Sequence, residues 1–154
     1  MQLIDIISRD AVIANAKSNS KKQLLSDIAD VAAAETGRDP RTIFELLLQR
    51  ERLGSTGIGN GVAIPHGKLP DLDRITGVFA RLAKPVPFDA MDDEPVDLVF
   101  AIIAPEGSGA DHLKALSRIA RIMRNADTLA ALRQTDDRDI IYSLLGNDEK
   151  ANAA

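Results

Sequence analysis

Two histidines carry most of the chemistry this sequence can offer, and one of them sits in a run of glycines. His66 lies between Pro65 and Gly67 in GSTGIGNGVAIPHGKL, residues 54–69, a stretch holding five of the chain's ten glycines. A neutral imidazole nitrogen is a nucleophile near neutral pH, because free histidine titrates near pKa ~6.5. It can accept a transferable group covalently. To take a phosphoryl group it must be exposed, held in one orientation and open to in-line approach. Pro65 fixes the chain before it; Gly67 removes bulk after it and permits an unusual φ. The other glycines leave backbone N–H groups open to an anion. This composition suits a phosphoryl acceptor. It also suits a surface histidine beside a flexible turn, and the residues alone leave both readings open.

Other chemistries fit less well. A Walker loop needs Ser or Thr after Gly-Lys, but Leu69 follows Gly67-Lys68, and Val62 stands where its first glycine belongs. The dinucleotide pattern fails as well, since Gly57, Gly59 and Gly61 alternate and position 62 is Val. His66 and His112 lack the close spacing of metal-binding pairs, and no acid lies within four residues of His66, so no metal or cofactor is expected. The absence of cysteine excludes disulfides, thiolate zinc sites and cysteine nucleophiles. A net charge of −4 with four Phe, one Tyr and no Trp argues against a nucleic-acid platform. The N-terminal MQLIDIISRD does not read as a signal peptide, and no apolar run approaches the roughly 20 residues of a bilayer span. The expected location is cytoplasmic, without membrane insertion.

The elements around the histidines follow from capping and periodicity. Residues 20–36 predict a helix with a Ser20/Gln23 capping box and Gly37 as its stop. A second helix starts at Asp39-Pro40 and runs to Gly54, apolar on most sides and therefore expected to be deeply buried. Strands are expected at 62–64, at 74–82 with Gly77 a close approach, and at 96–104, whose unbroken apolar run marks a central strand. The segment AKPVPFDAMDDEP reads as loop or edge. Residues 109–124 predict a helix with a Ser108/Asp111 capping box and a stripe of Leu113, Leu116, Ala120 and Met123. Lys114, Arg118 and Arg121 share another face of it, a solvated face or a docking edge for an acidic partner. A short helix capped by Asp127 and a last one over 136–145, ended by Gly146, complete the chain. Helices lead, strands cluster centrally and helices close. The expected fold is one α/β domain over residues 1–146, a mixed β-sheet flanked by helices, followed by a polar C-terminal tail at 147–154.

At this point a family resemblance enters. RERLGSTGIGNGVAIPHGKL (50–69), PFDAMDDEPVDLVFAIIAP (87–105) and DHLKALS (111–117) resemble the IIA domains of the mannitol, fructose and nitrogen-related phosphotransferase systems. The resemblance covers about residues 3–146, and its wording is most similar to the nitrogen-related branch. It implies the mannitol-type IIA fold. It also implies that His66 carries the phosphoryl group through Nε2, that Arg50 stabilises that group, and that His112 supports it from the first turn of its helix. On residue type alone Arg50 reads as an ordinary helix-end arginine, and only the motif favours the phosphoryl role; for His112 a half-buried helix-start histidine is the competing reading. The implied function is that of a regulatory phosphocarrier. An HPr-like phosphohistidine protein would be its donor, and potassium-transport, sensor-kinase or stringent-response proteins would be its targets. The alternative is a sugar-specific IIA subunit passing phosphate to a transport IIB partner. Ser55 and Thr56 are assigned to turn chemistry.

Overall fold

The structure, a computed structural model, describes the backbone of residues 2–153 and the side chains of residues 2–146. Two short 3-10 turns, Leu3–Asp5 and Arg9–Ala11, lead into strand β1 (Val12–Ala16). Helices α1 (Lys21–Thr36) and α2 (Pro40–Arg52) follow, then β2 (Gly57–Gly59), β3 (Val62–Ala63), β4 (His66–Leu69), β5 (Thr76–Val86) and β6 (Val96–Pro105). Helices α3 (Gly109–Ile122), α4 (Ala126–Arg133) and α5 (Arg138–Ala153) close the chain. The strands form one mixed sheet in the order β1-β5-β6-β3-β2, with β4 continuing alongside β6 beyond β3. β5 and β6 run antiparallel, whereas β1 is parallel to β5, and β3 and β4 are parallel to β6. The expected single α/β domain with a mixed sheet between helices is the architecture observed.

β6 is the central strand its apolar run predicts: every residue from Val96 to Ala104 except Asp97 is buried. Register assigns its two faces. Gly67, Ile103 and Thr76 are paired neighbours and share one face, where a Cβ on Gly67 would lie 2.7 Å from Leu46 of α2. His66, Ile102 and Gly77 share the other, where a Cβ on Gly77 would lie 2.8 Å from Phe100 and 3.4 Å from the Ile6 carbonyl. The sheet therefore places His66 on the face opposite α2.

Several expectations need correction. β1 precedes the helices, so a strand leads the chain; VIANA alternates too weakly in polarity to have announced it. α1 has its Ser20 cap, accepting from Gln23 N–H, and its Gly37 stop at φ 73°. The reciprocal half of its box is absent, because the Gln23 amide binds Asp27 instead. α2 buries only Ile43, Leu47 and Glu51, so its other apolar residues are half-covered rather than deep. β5 continues through Lys84 and Pro85 to Val86, beyond the expected strand. Ser108 donates to the Pro105 carbonyl at 2.6 Å and makes no capping box. The covered face of α3 centres on His112, Ala115, Ile119 and Ile122; of the expected stripe Met123 is buried and Leu116 and Ala120 pack half-buried against the core, while Leu113 is 67% exposed. Asn125, not Asp127, caps α4. α5 passes through Gly146, where a Cβ would press on Ile4 at 3.1 Å, so that glycine serves packing and not termination. The side chains of the polar tail lie outside the described residues.

Candidate functional site

The glycine-rich stretch is a β-hairpin rather than an open loop. β2 and β3 pair antiparallel across Asn60-Gly61, with φ 57° and 78°, the Asn-Gly turn whose twist matches its strands. A Cβ on Gly61 would meet Arg133 Nη2 at 2.6 Å and Asp97 Oδ1 at 2.8 Å. Arg133 of α4 binds both Asp97 oxygens, at 2.9 Å, and also the Asn60 carbonyl, clamping the hairpin to β6. The glycines thus shape a rigid wall, and Gly67 needs no unusual φ, only the absence of a side chain against Leu46.

After β3 the chain leaves the ladder for two residues. Pro65 has no N–H, and its carbonyl accepts from Ile102 N–H at 2.9 Å. Ile64 N–H turns away to the Thr56 carbonyl at 3.0 Å. His66 stands where pairing with β6 resumes, half-buried. Its Nδ1 lies 2.8 Å from the Ile64 carbonyl oxygen. A carbonyl only accepts, so Nδ1 carries the hydrogen and Nε2 holds the lone pair.

His66 faces a pocket of about 240 Å³. Arg50, the 55–58 segment and Ile64 form part of its wall, and Leu116 and Ala120 of α3 complete it. Arg50 comes from the last turn of α2, where its Nη1 donates to the Gly54 carbonyl at 2.9 Å. Arg50 thus meets the end of its own helix through Gly54, and it is one of the residues lining the pocket. His112 is placed differently. It is 6% exposed and does not line the pocket, but its ring centroid lies 5.7 Å from that of His66 at 50°. Burial, and then the neighbouring His66 and Lys68, push its pKa below the usual 6.5. Its Nδ1 is buried without a partner, so a neutral ring is the form this environment favours.

Ser55 and Thr56 line the pocket, yet their hydroxyl hydrogens are committed elsewhere. Ser55 donates to the Phe88 carbonyl at 2.7 Å and accepts from Gly57 N–H at 3.1 Å, while Thr56 donates to Glu51. Only the Ser55–Gly57 contact is turn chemistry; the other hydroxyl bonds tie the segment to Phe88 and to α2. Sequence reasoning missed Glu51, whose signal is an acid on the Ile43–Leu47 stripe of α2. It also missed Lys21, which pairs with Glu51 at 3.5 Å. Among the described residues no three His, Cys, Asp or Glu side chains gather.

Comparison with known proteins fixes the class to which this fold and pocket belong. Residues 5–148 match the family model described as "Phosphoenolpyruvate-dependent sugar phosphotransferase system, EIIA 2", and the chain belongs to that family. Within it the similarity is to nitrogen-regulatory members. The chain is 54% identical over 145 residues to a nitrogen regulatory protein of Bradyrhizobium diazoefficiens, covering 94% of this chain and 95% of that protein. It is 39% identical to the nitrogen regulatory protein of Escherichia coli K12, covering 97% and 92%. The crystal structure of nitrogen regulatory protein IIA-Ntr from Neisseria meningitidis superposes with a TM-score of 0.87 at 33% identity, covering 92% of this chain and 97% of that one. The chain is thus a phosphotransferase-system EIIA domain of the nitrogen-regulatory type, and phosphocarrier activity is what its family implies.

Proposed function

We propose that this protein accepts a phosphoryl group on His66 Nε2 from an HPr-like phosphohistidine protein and controls cytoplasmic targets by phosphorylation-dependent binding. The observation that carries the reading is the Nδ1–H···O=C bond to Ile64, which leaves the Nε2 lone pair at a pocket containing Arg50. In transfer the Nε2 pair attacks phosphorus in line. The P–N bond to the donor imidazole breaks, and that ring leaves with the bonding pair. The His66 ring becomes cationic while Nδ1 keeps its proton, and the Ile64 carbonyl supports the developing charge. Arg50 swings from the Gly54 carbonyl, or shares it, to hold phosphoryl oxygens. Neutral His112 supports the site from the side without adding a competing charge. Potassium-transport, sensor-kinase or stringent-response proteins are the proposed targets, supported by the resemblance to the nitrogen-related branch.

The test is incubation with phosphoenolpyruvate, enzyme I and an HPr-like carrier, followed by intact-mass spectrometry. Wild type gains one acid-labile phosphoryl group and folded His66→Ala gains none. Labelling of the alanine variant under the same conditions overturns the assignment.

A further inference from the structure

We propose that Glu51 is a positioning residue for His66, acting through a continuous chain of hydrogen bonds; the inference rests on His66 being the phosphoryl acceptor. The Glu51 side chain is 2% exposed and lies on the buried stripe of α2, where an apolar residue would pack without desolvating a charge. Both of its oxygens accept from Thr56 N–H, at 2.9 and 3.2 Å, and one also accepts the Thr56 hydroxyl. Lys21 braces the carboxylate at 3.5 Å. That ammonium is itself fixed by the Phe88 carbonyl at 3.2 Å and by the Phe88 ring, 4.5 Å away.

The peptide beyond Thr56 carries the effect onward. The Thr56 carbonyl accepts from Ile64 N–H at 3.0 Å, and the Ile64 carbonyl accepts from His66 Nδ1–H at 2.8 Å. Glu51 therefore reaches the imidazole through Thr56 and Ile64, each link aligned in the same donor-to-acceptor sense. Each residue in the chain is pinned at both its N–H and its carbonyl, so the anchored carboxylate fixes where the Ile64 carbonyl stands beside the imidazole. The product is one tautomer and one ring orientation at His66. A buried ion pair is weak evidence for stability, so the pairing of Glu51 with Lys21 calls for another role.

Glu51→Gln keeps the shape and removes the charge; Lys21→Met removes the brace together with its contacts to Phe88 and leaves the carboxylate on Thr56. Nitrogen-15 imidazole spectra and single-turnover phosphoryl transfer against donor concentration read the effect. In folded Glu51→Gln the Nδ1–H tautomer of His66 loses population. The transfer rate falls about tenfold, while the half-saturating donor concentration stays within about twofold. Lys21→Met gives a smaller loss in the same direction, and the double variant is no worse than Glu51→Gln alone, as one linkage requires. A wild-type tautomer population and rate in both folded variants overturns the proposal, as does a change confined to donor concentration. If wild type takes no phosphate, the acceptor reading fails, and the tautomer spectra still decide whether Glu51 orients His66.

Discussion

At the residue scale, the site is a division of labour between two imidazoles. His66 Nδ1 is held by the Ile64 carbonyl, and His112 is buried, a burial that lowers its pKa. Arg50 is the cation proposed to meet a phosphoryl group; replacing it with Lys removes the planar fork and is expected to slow transfer by about 10²-fold, the scale of losing one oxyanion donor. Rapid-quench kinetics checks this. His112 makes a stability prediction with a definite sign. Its folded pKa lies below 6.5, so below pH 6.5 the unfolded chain binds the proton more readily. Stability therefore falls as pH drops from 6.5 toward the lowered value and levels off beneath it. Thermal unfolding across pH 5–8 shows this slope, and His112→Gln flattens it. The resemblance pointed to His66, Arg50 and His112 because their surrounding words are specific, and the fold brings them to one region: His66 and Arg50 line one pocket and His112 lies beside His66. Glu51 was not, since a charged residue in RERL reads as solvent-facing until the fold shows which side of α2 is covered.

At the scale of elements, the hairpin and the break before β4 build the pocket. The glycine count pointed to the right place, but flexibility was the wrong inference from it: alternating glycines with Asn60-Gly61 make paired strands. Gly67 is the sharpest test. Its missing Cβ lets Leu46 approach, so Gly67→Ala is expected to cost about 1–3 kcal/mol by overpacking, with Leu46→Ala in the same chain recovering part of the loss. Denaturant titration of the single and double variants measures it. The helices α1 and α2 were readable from Ser20, Gly37 and Asp39-Pro40 because caps are local chemistry. The covered face of α3 was readable only in part, because that face is set by docking on β6, and a histidine does not announce itself as core.

At the scale of the whole molecule, the proposed phosphorylation would change the charge of a small acidic protein substantially. The formal charge of −4 moves toward about −6 when a phosphoryl group adds up to about −2. Native electrophoresis resolves the two forms, and His66→Ala migrates only with the slower one. Under the proposed function the donor reaches His66 past α3, where Leu113 is exposed one helical turn before the pocket residue Leu116. Leu113→Asp is expected to raise the half-saturating donor concentration severalfold and leave the transfer rate and the unfolding temperature unchanged. Titration of the donor reads this directly. The central claim is narrower than any of these: the phosphoryl group resides on His66 Nε2, with the Nδ1 proton retained. Phosphorus–nitrogen correlation spectra of the phosphorylated, nitrogen-15 histidine-labelled protein test it most directly. Coupling of phosphorus to Nε2 of His66, with Nδ1 still protonated, is the predicted result; phosphorus on Nδ1, or on His112, contradicts it.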